Sequence, residues 1–165
     1  MKSIVVGLAF AAAVFAADPF VSVWNINMGK STNTDPAADF TQIQGWKLTY
    51  EAVSETSYRI IRLQPAQGDT RKMLARMDGK DYSNDSDGRD YEKDSTLPSG
   101  TGIYTIAWKR IDERHHLLIF KKEGKEYSRR DVSISGDGKV LTLRQWGLGR
   151  SDGKPFDYTM VFDKE

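Results

Sequence analysis

Hydrophobic and polar residues alternate along most of the chain, in short runs that turn-forming residues separate. The run at 46–52 shows this most plainly, because Trp46, Leu48 and Tyr50 occupy every second position and polar residues lie between them. Successive side chains of a strand point to opposite faces, so this alternation predicts a strand with one face in the core and one in water.

Further runs have the same character, and clusters of Gly, Asp, Ser and Pro lie between them. No long stretch has the period of a helix, and parallel strands would need helical crossovers. The chain is therefore predicted to be all-β, an antiparallel up-and-down β-barrel of about eight to nine strands. The predicted strands cover residues 20–27, 46–52, 58–63, 71–77, 103–111, 114–121, 125–134, 140–146 and 155–163.

Two connections are longer than a hairpin turn, one at 33–39 and one at 78–102. The second begins with Asp78, Gly79 and Lys80, a combination typical of a turn. Loops of this length inside a compact domain are often functional, so residues 81–100 are a candidate rim or lid. The alternative is a solvated connector without a function of its own.

The N-terminus has the composition of a secretory signal peptide. Lys2 precedes an apolar run at 4–15, and a small residue, Ala16, follows it. The run is shorter than the ~20 residues that a transmembrane helix needs. We therefore expect a signal peptide over 1–16, a barrel domain over 17–165, and a secreted or periplasmic mature chain without an integral membrane segment. A short anchoring helix that the mature protein keeps is the alternative.

Composition narrows the range of partners. The 165 residues contain 24 Lys plus Arg and 23 Asp plus Glu, so the formal net charge is only +1. A nearly neutral chain has no long-range field that attracts polyanions, and we expect no nucleic acid partner. The chain contains no cysteine, which excludes disulfides and a lipid-attachment cysteine.

Catalytic and metal-binding patterns are weak. The only two histidines, His115 and His116, are adjacent on a predicted strand, so their side chains point to opposite faces and cannot bind one metal together. Without cysteine or a Ser-His-Asp order, nucleophilic catalysis has no candidate residues. The acidic run at 85–90 has a faint likeness to a calcium loop, but its end positions are Ser83 and Asp94, and a solvated turn is the better interpretation. We expect no enzyme activity, cofactor or metal.

Six segments carry a resemblance to a known family, at 18–24, 78–82, 109–112, 121–125, 134–139 and 161–164. Together they resemble small secreted bacterial proteins with a lipocalin-like β-barrel, and the likeness spans most of the chain after residue 17. The first-strand tryptophan, Trp24, corresponds to the tryptophan that closes one end of such barrels, although Ser22 stands where lipocalins usually have glycine. The resemblance also implies a basic side chain over Trp24, either Lys164 or Arg144.

The resemblance implies a cup for a small molecule, and the chain contains enough aromatic residues to line one. An eight-stranded barrel is just wide enough to fill itself with side chains or to hold one small ligand, and both alternatives stay open. We expect the walls of such a cup to include the aromatic residues Trp46, Tyr50, Tyr104, Trp108, Tyr158 and Phe162.

Three arginines are in phase with apolar residues of their strands: Arg110, Arg130 and Arg144. An inward arginine would need a carboxylate, from the protein or from a ligand, and Arg110 and Arg144 are the first candidates for holding an anionic head group. Alternatively, these side chains lie near strand ends and extend into water.

Two functions follow as expectations. The first is a non-enzymatic binding protein, expected to be a monomer, that takes a small apolar or amphipathic molecule into the barrel. The second is an interaction module with a filled barrel that presents loop 81–100 to a protein or envelope partner.

Overall fold

One antiparallel sheet of eleven strands bends around a shared core. The computed structural model describes residues 18–34, 40–83, 104–149 and 153–165. The strands are β1 (Ser22–Ile26), β2 (Thr32–Asn33), β3 (Lys47–Ser54), β4 (Ser57–Gln64), β5 (Asp69–Arg76), β6 (Asp78–Ser83), β7 (Tyr104–Asp112), β8 (His115–Lys122), β9 (Lys125–Ile134), β10 (Val140–Leu148) and β11 (Pro155–Lys164), with short 3₁₀ helices at Phe40–Ile43 and Pro65–Gln67.

The order of the strands makes a nearly closed barrel. β1 pairs with both β3 and β11, and the other long strands pair with their neighbours along the chain, so that β5 and β6 are the two ends of the sheet. Met77 alone separates β5 from β6, and its backbone N–H donates to the carbonyl of Thr56 at 2.8 Å. β5 approaches β7 across this seam.

The predicted count of eight to nine strands is wrong, because β2 and β6 were not expected. Gly79 has a φ of +73°, and the pairing of β6 with β7 shifts register between Asp78 and Asp81. The turn chemistry at Asp78 therefore belongs to an irregularity within a strand, as in a β-bulge, and not to the start of a loop. β2 has only two residues, which is too short to show an alternation.

Only the first part of the candidate rim at 81–100 lies among the described residues, and it belongs to a strand. Asp81 to Ser83 belong to β6, whereas residues 84–100 lie outside the described residues, as do the calcium-like run and the predicted signal peptide. Within the described ranges, no helix has the length and the apolar character needed to cross a membrane.

Aromatic rings pack one end of the barrel, which we call the closed end and define by Phe20, Trp24, Tyr58 and His116. All four side chains are buried, and Phe20 stacks on the His116 ring at 3.9 Å between centroids. Trp24 donates from Nε1 to the carbonyl of Phe20 at 3.0 Å. Of the two basic residues expected over Trp24, Lys164 is there, with Nζ 5.6 Å from the ring centre.

Candidate functional site

Two cavities lie inside the barrel and share four lining residues, Trp46, Arg62, Arg130 and Met160. The inner chamber has a volume of about 60 Å³ and the outer cup about 340 Å³. The inner chamber is lined by Trp46, Leu48, Tyr50, Ile60, Arg62, Met73, Trp108, Arg130, Val132, Leu143, Met160 and Phe162. The outer cup is lined by Asn33, Phe40, Gln42, Ile43, Trp46, Arg62, Gln64, Arg71, Arg130, Tyr158 and Met160.

The inward face of β4 changes from aromatic and apolar to polar along the length of the barrel. Every second residue faces the interior, beginning with Tyr58 at the closed end and continuing through Ile60 in the inner chamber to Gln64 in the outer cup. β9 repeats the pattern, with Ile134 and Val132 in the core and Arg130 nearer the opening. The interior is therefore apolar at depth and cationic toward the cup.

Arg130 lies where the two cavities meet. Its Nε donates to Oε1 of Gln145 at 2.9 Å, its Nη2 donates to the same oxygen, and the Tyr158 hydroxyl donates to that oxygen at 2.6 Å. The guanidinium lies 5.3 Å from the centre of the Phe120 ring. Among the described residues no carboxylate pairs with Arg130, so an uncharged amide holds this half-buried cation inside the barrel.

Two other arginines add positive charge to the outer cup. The Arg62 guanidinium lies 4.7 Å from the centre of the Trp46 ring, in the geometry of a cation–π contact. Trp46 in turn donates from Nε1 to the Gln42 carbonyl at 3.0 Å, which fixes the indole against the 3₁₀ helix at Phe40–Ile43. Arg71 pairs with Asp69 at 3.0 Å. No described residue that lines either cavity is acidic.

The inner chamber is apolar apart from Arg62, Arg130 and the polar groups of three aromatic residues, Trp46, Tyr50 and Trp108. Tyr50 is buried, and this burial raises the pKa of its hydroxyl, an effect that the positive charge of Arg130 reduces in part. The hydroxyl therefore stays protonated and can both donate and accept hydrogen bonds. Trp108 is also buried, and its indole Nε1 has no acceptor in the part of the chain that the structure describes.

Five of the eight residues expected to bind a ligand line the cavities. Trp46, Tyr50, Trp108 and Phe162 line the inner chamber, and Tyr158 lines the outer cup.

The other three lie elsewhere. Tyr104 packs edge-on against Tyr127 at 6.2 Å. Arg110 is at the closed end, where its Nη2 lies 3.3 Å from Oδ2 of Asp18 and also contacts the Tyr58 hydroxyl. The exposed Arg144 pairs with Asp157 at 2.7 Å.

The arginines that do line the cavities are Arg62, Arg71 and Arg130. Arg130 was recognisable from its phase with Val132 and Ile134, but the sequence did not rank it above Arg110 and Arg144. Arg62 is likewise in phase with Tyr58 and Ile60, but it was not among the residues expected to bind a ligand. In the described ranges, no three His, Cys, Asp or Glu side chains come close enough to hold a metal ion.

Comparison with known proteins gives a fold and no family. No family model matches the chain, and no curated protein matches it. Among solved structures, the chain is similar to the crystal structure of a zebrafish ileal bile acid-binding protein in complex with cholic acid, with a TM-score of 0.54 and 11% sequence identity. The match covers 89% of this chain and 99% of that one.

The fold is calycin-like. An identity of 11% shows the architecture alone, and it agrees with the antiparallel, nearly closed barrel that the strand order gives. The expectation of an antiparallel β-barrel is therefore confirmed, whereas membership of the lipocalin-like family, and of a secreted bacterial branch of it, stays a prediction.

Proposed function

We propose that this protein binds one small amphipathic molecule, with its anionic group at Arg130 and its apolar body in the two cavities, and that it does not alter the molecule chemically. Arg130 carries this proposal. Its half-buried guanidinium is hydrogen-bonded by a neutral amide, which does not neutralise its positive charge, so an anion can still pair with it. Arginine binds carboxylates through two parallel hydrogen bonds, which would orient the ligand as well as hold it.

The size and the chemistry of the cavities agree with this ligand class. Small-molecule sites usually have volumes of roughly 300–1,000 Å³, apolar walls and a few polar groups that set orientation. The outer cup, at about 340 Å³, lies at the lower end of that range. One structural neighbour is a bile acid-binding protein in complex with cholic acid, and an amphipathic acid is the class that Arg130 and the apolar chamber would select here.

The test compares an acid with its uncharged ester in a fluorescence titration. We expect decanoic acid to bind at least ten-fold more tightly than methyl decanoate, because a hydrogen bond to a charged group contributes roughly 1.5–3 kcal/mol. Arg130→Met should abolish this preference and leave binding of the ester largely unchanged.

Arg144→Met is the matched control, since it removes the same charge from the outer face. It should keep the preference for the acid, and thermal melts should show that both variants are folded. Equal affinity of acid and ester in the unmodified protein would contradict the proposal, and so would an equal loss of preference in the two variants.

We also propose export, with cleavage of the signal peptide before Ala17 or Asp18. This rests on the sequence of residues 1–16, while Asp18 accepts from the Phe20 amide at 3.0 Å and from the Tyr58 hydroxyl, so the first residue described is anchored at the closed end. N-terminal sequencing of exported protein should begin at Ala17 or Asp18. Exported protein that still begins at Met1 would rule out cleavage.

A further inference from the structure

The indole N–H of Trp108 is the least explained polar group in the barrel. Trp108 is 4% exposed, lines the inner chamber, and has no hydrogen-bond acceptor for Nε1 among the described residues. Buried tryptophans usually donate to a partner, and a buried donor left without one destabilises the folded protein. The indoles of Trp24 and Trp46 follow that rule, since each donates to a backbone carbonyl at 3.0 Å.

Trp108 also marks the deep limit of the binding space. It lines the inner chamber but not the outer cup, and its ring meets that of His116, at the closed end, edge-on at 6.4 Å. Arg130 lines both cavities and so lies nearer the opening. A ligand whose anion is at Arg130 would therefore extend its apolar body toward Trp108.

We propose that the ligand is polar at both ends, with an anionic group at Arg130 and a hydroxyl or carbonyl oxygen at the far end that accepts a hydrogen bond from Trp108 Nε1. Tryptophan can only donate, so the far group must be an acceptor. Tyr50 lines the same chamber and can either donate to this oxygen or accept from a hydroxyl. This inference rests on the proposed function and adds a substrate class to it, the acids that carry a second oxygen at the opposite end.

Selectivity follows from the cost of leaving Trp108 without an acceptor. A site built to hydrogen-bond a hydroxyl discriminates strongly against an analogue that lacks it, because the polar group of the site is then left unpaired. A water molecule is the competing occupant, since a cavity needs only roughly 10–15 Å³ to hold one and the inner chamber has about 60 Å³. A water that stays bound with either ligand would remove the selectivity.

The experiment compares decanoic acid with ω-hydroxydecanoic acid. We expect the hydroxy acid to bind about ten-fold more tightly to the unmodified protein. Trp108→Phe should abolish or reverse this preference. Trp146→Phe is the matched control, because it makes the same chemical change at a tryptophan that lines neither cavity, and it should keep the preference.

A second measurement follows ligand binding to the unmodified protein, so it does not depend on whether a variant still binds the ligand. In an ¹H–¹⁵N spectrum, the indole signal of Trp108, assigned by its loss in Trp108→Phe, should move downfield with the hydroxy acid and much less with decanoic acid.

The outcomes separate this inference from the function on which it rests. If both acids bind equally and the acid-over-ester preference persists, the inference is wrong and the proposed function stands. If the hydroxy acid is still preferred by Trp108→Phe, the inference is also wrong. If neither acid binds, the proposed function itself fails.

Discussion

His116 is a buried imidazole with neither ring nitrogen hydrogen-bonded within the described ranges. Burial lowers the pKa of His116 to about 4, the charge of Arg110 acts in the same direction, and Asp18 opposes both. His115 adds to the lowering and Asp112 opposes it, more weakly. The imidazole is therefore neutral at physiological pH and packs against Phe20 as an aromatic ring.

This burial predicts a loss of stability in acid. Between pH 6.5, where an unfolded histidine titrates, and pH 4, only the unfolded state binds the proton. The contribution of neutral His116 to the free energy of unfolding is therefore complete above pH 6.5 and is lost as the pH falls to 4. From this residue, the free energy of unfolding changes with a slope approaching ~1.4 kcal/mol per pH unit. Urea unfolding across this range should show a smaller slope for His116→Phe than for the unmodified protein.

His115→Gln is the control for that experiment. His115 is half-exposed and lies 3.3 Å from Asp131 on the outer face, so its replacement should leave most of the slope. The assignment of the slope to His116 would be contradicted if His116→Phe kept the full pH dependence.

At single positions, the sequence predicted alternation correctly but did not always show which face was inside. Arg144 shares a face with Trp146, as expected, but that face is the outer one, since Leu141, Leu143 and Gln145 are the buried residues of β10. Both faces of this strand carry apolar residues, so alternation alone could not decide. The pairing of Gln145 with Arg130 and Tyr158 decides it, and only the assembled sheet shows those contacts.

Among the described glycines, Gly147 in β10 leaves the least room for an added Cβ. Gly147 has a φ of +135°, and a Cβ there would lie 2.4 Å from the Tyr127 carbonyl oxygen and 2.6 Å from Cα of Ser128. Real Cβ atoms do not tolerate such distances to backbone, so β9 and β10 would have to separate. We expect Gly147→Ala to lower the free energy of unfolding by roughly 3 kcal/mol or more, through overpacking and backbone strain together.

Gly138→Ala separates these two causes. Gly138 has a φ of +73° in the β9–β10 turn, and nothing lies within 4 Å of an added Cβ. Only the conformational penalty applies, roughly 1–2 kcal/mol. Urea unfolding of both variants measures the difference, and equal costs would show that the close approach at Gly147 is not important for stability.

The long strands were predictable as elements because their patterns are strong, and β9 was expected with its exact observed bounds, Lys125–Ile134. β6 was not, because Gly79 introduces turn chemistry into a strand whose pairing with β7 resumes at Asp81. A glycine with positive φ can serve a turn or a bulge, and only the neighbouring strand distinguishes the two.

Across the whole molecule, charge and apolar surface are separated along the barrel axis. The closed end is packed with aromatic rings, the inner chamber is mostly apolar, and the outer cup contains Arg62, Arg71 and Arg130. The net charge of +1 does not reveal this separation, because it sums the arginines of the cup with the charged residues of the whole chain. The barrel followed from local patterns, whereas the site depends on residues from strands distant in sequence.

Whether the cavities take an amphipathic anion is tested most directly by methionine methyl NMR during a titration with decanoic acid. Met73 lines the inner chamber and Met160 lines both cavities, whereas Met77 is buried and lines neither of them. Ligand binding in the barrel predicts saturable shifts of the Met73 and Met160 methyl signals, with Met77 nearly unchanged. Unmoved signals from Met73 and Met160 at high ligand concentration, or shifts of all three that never saturate, would contradict it.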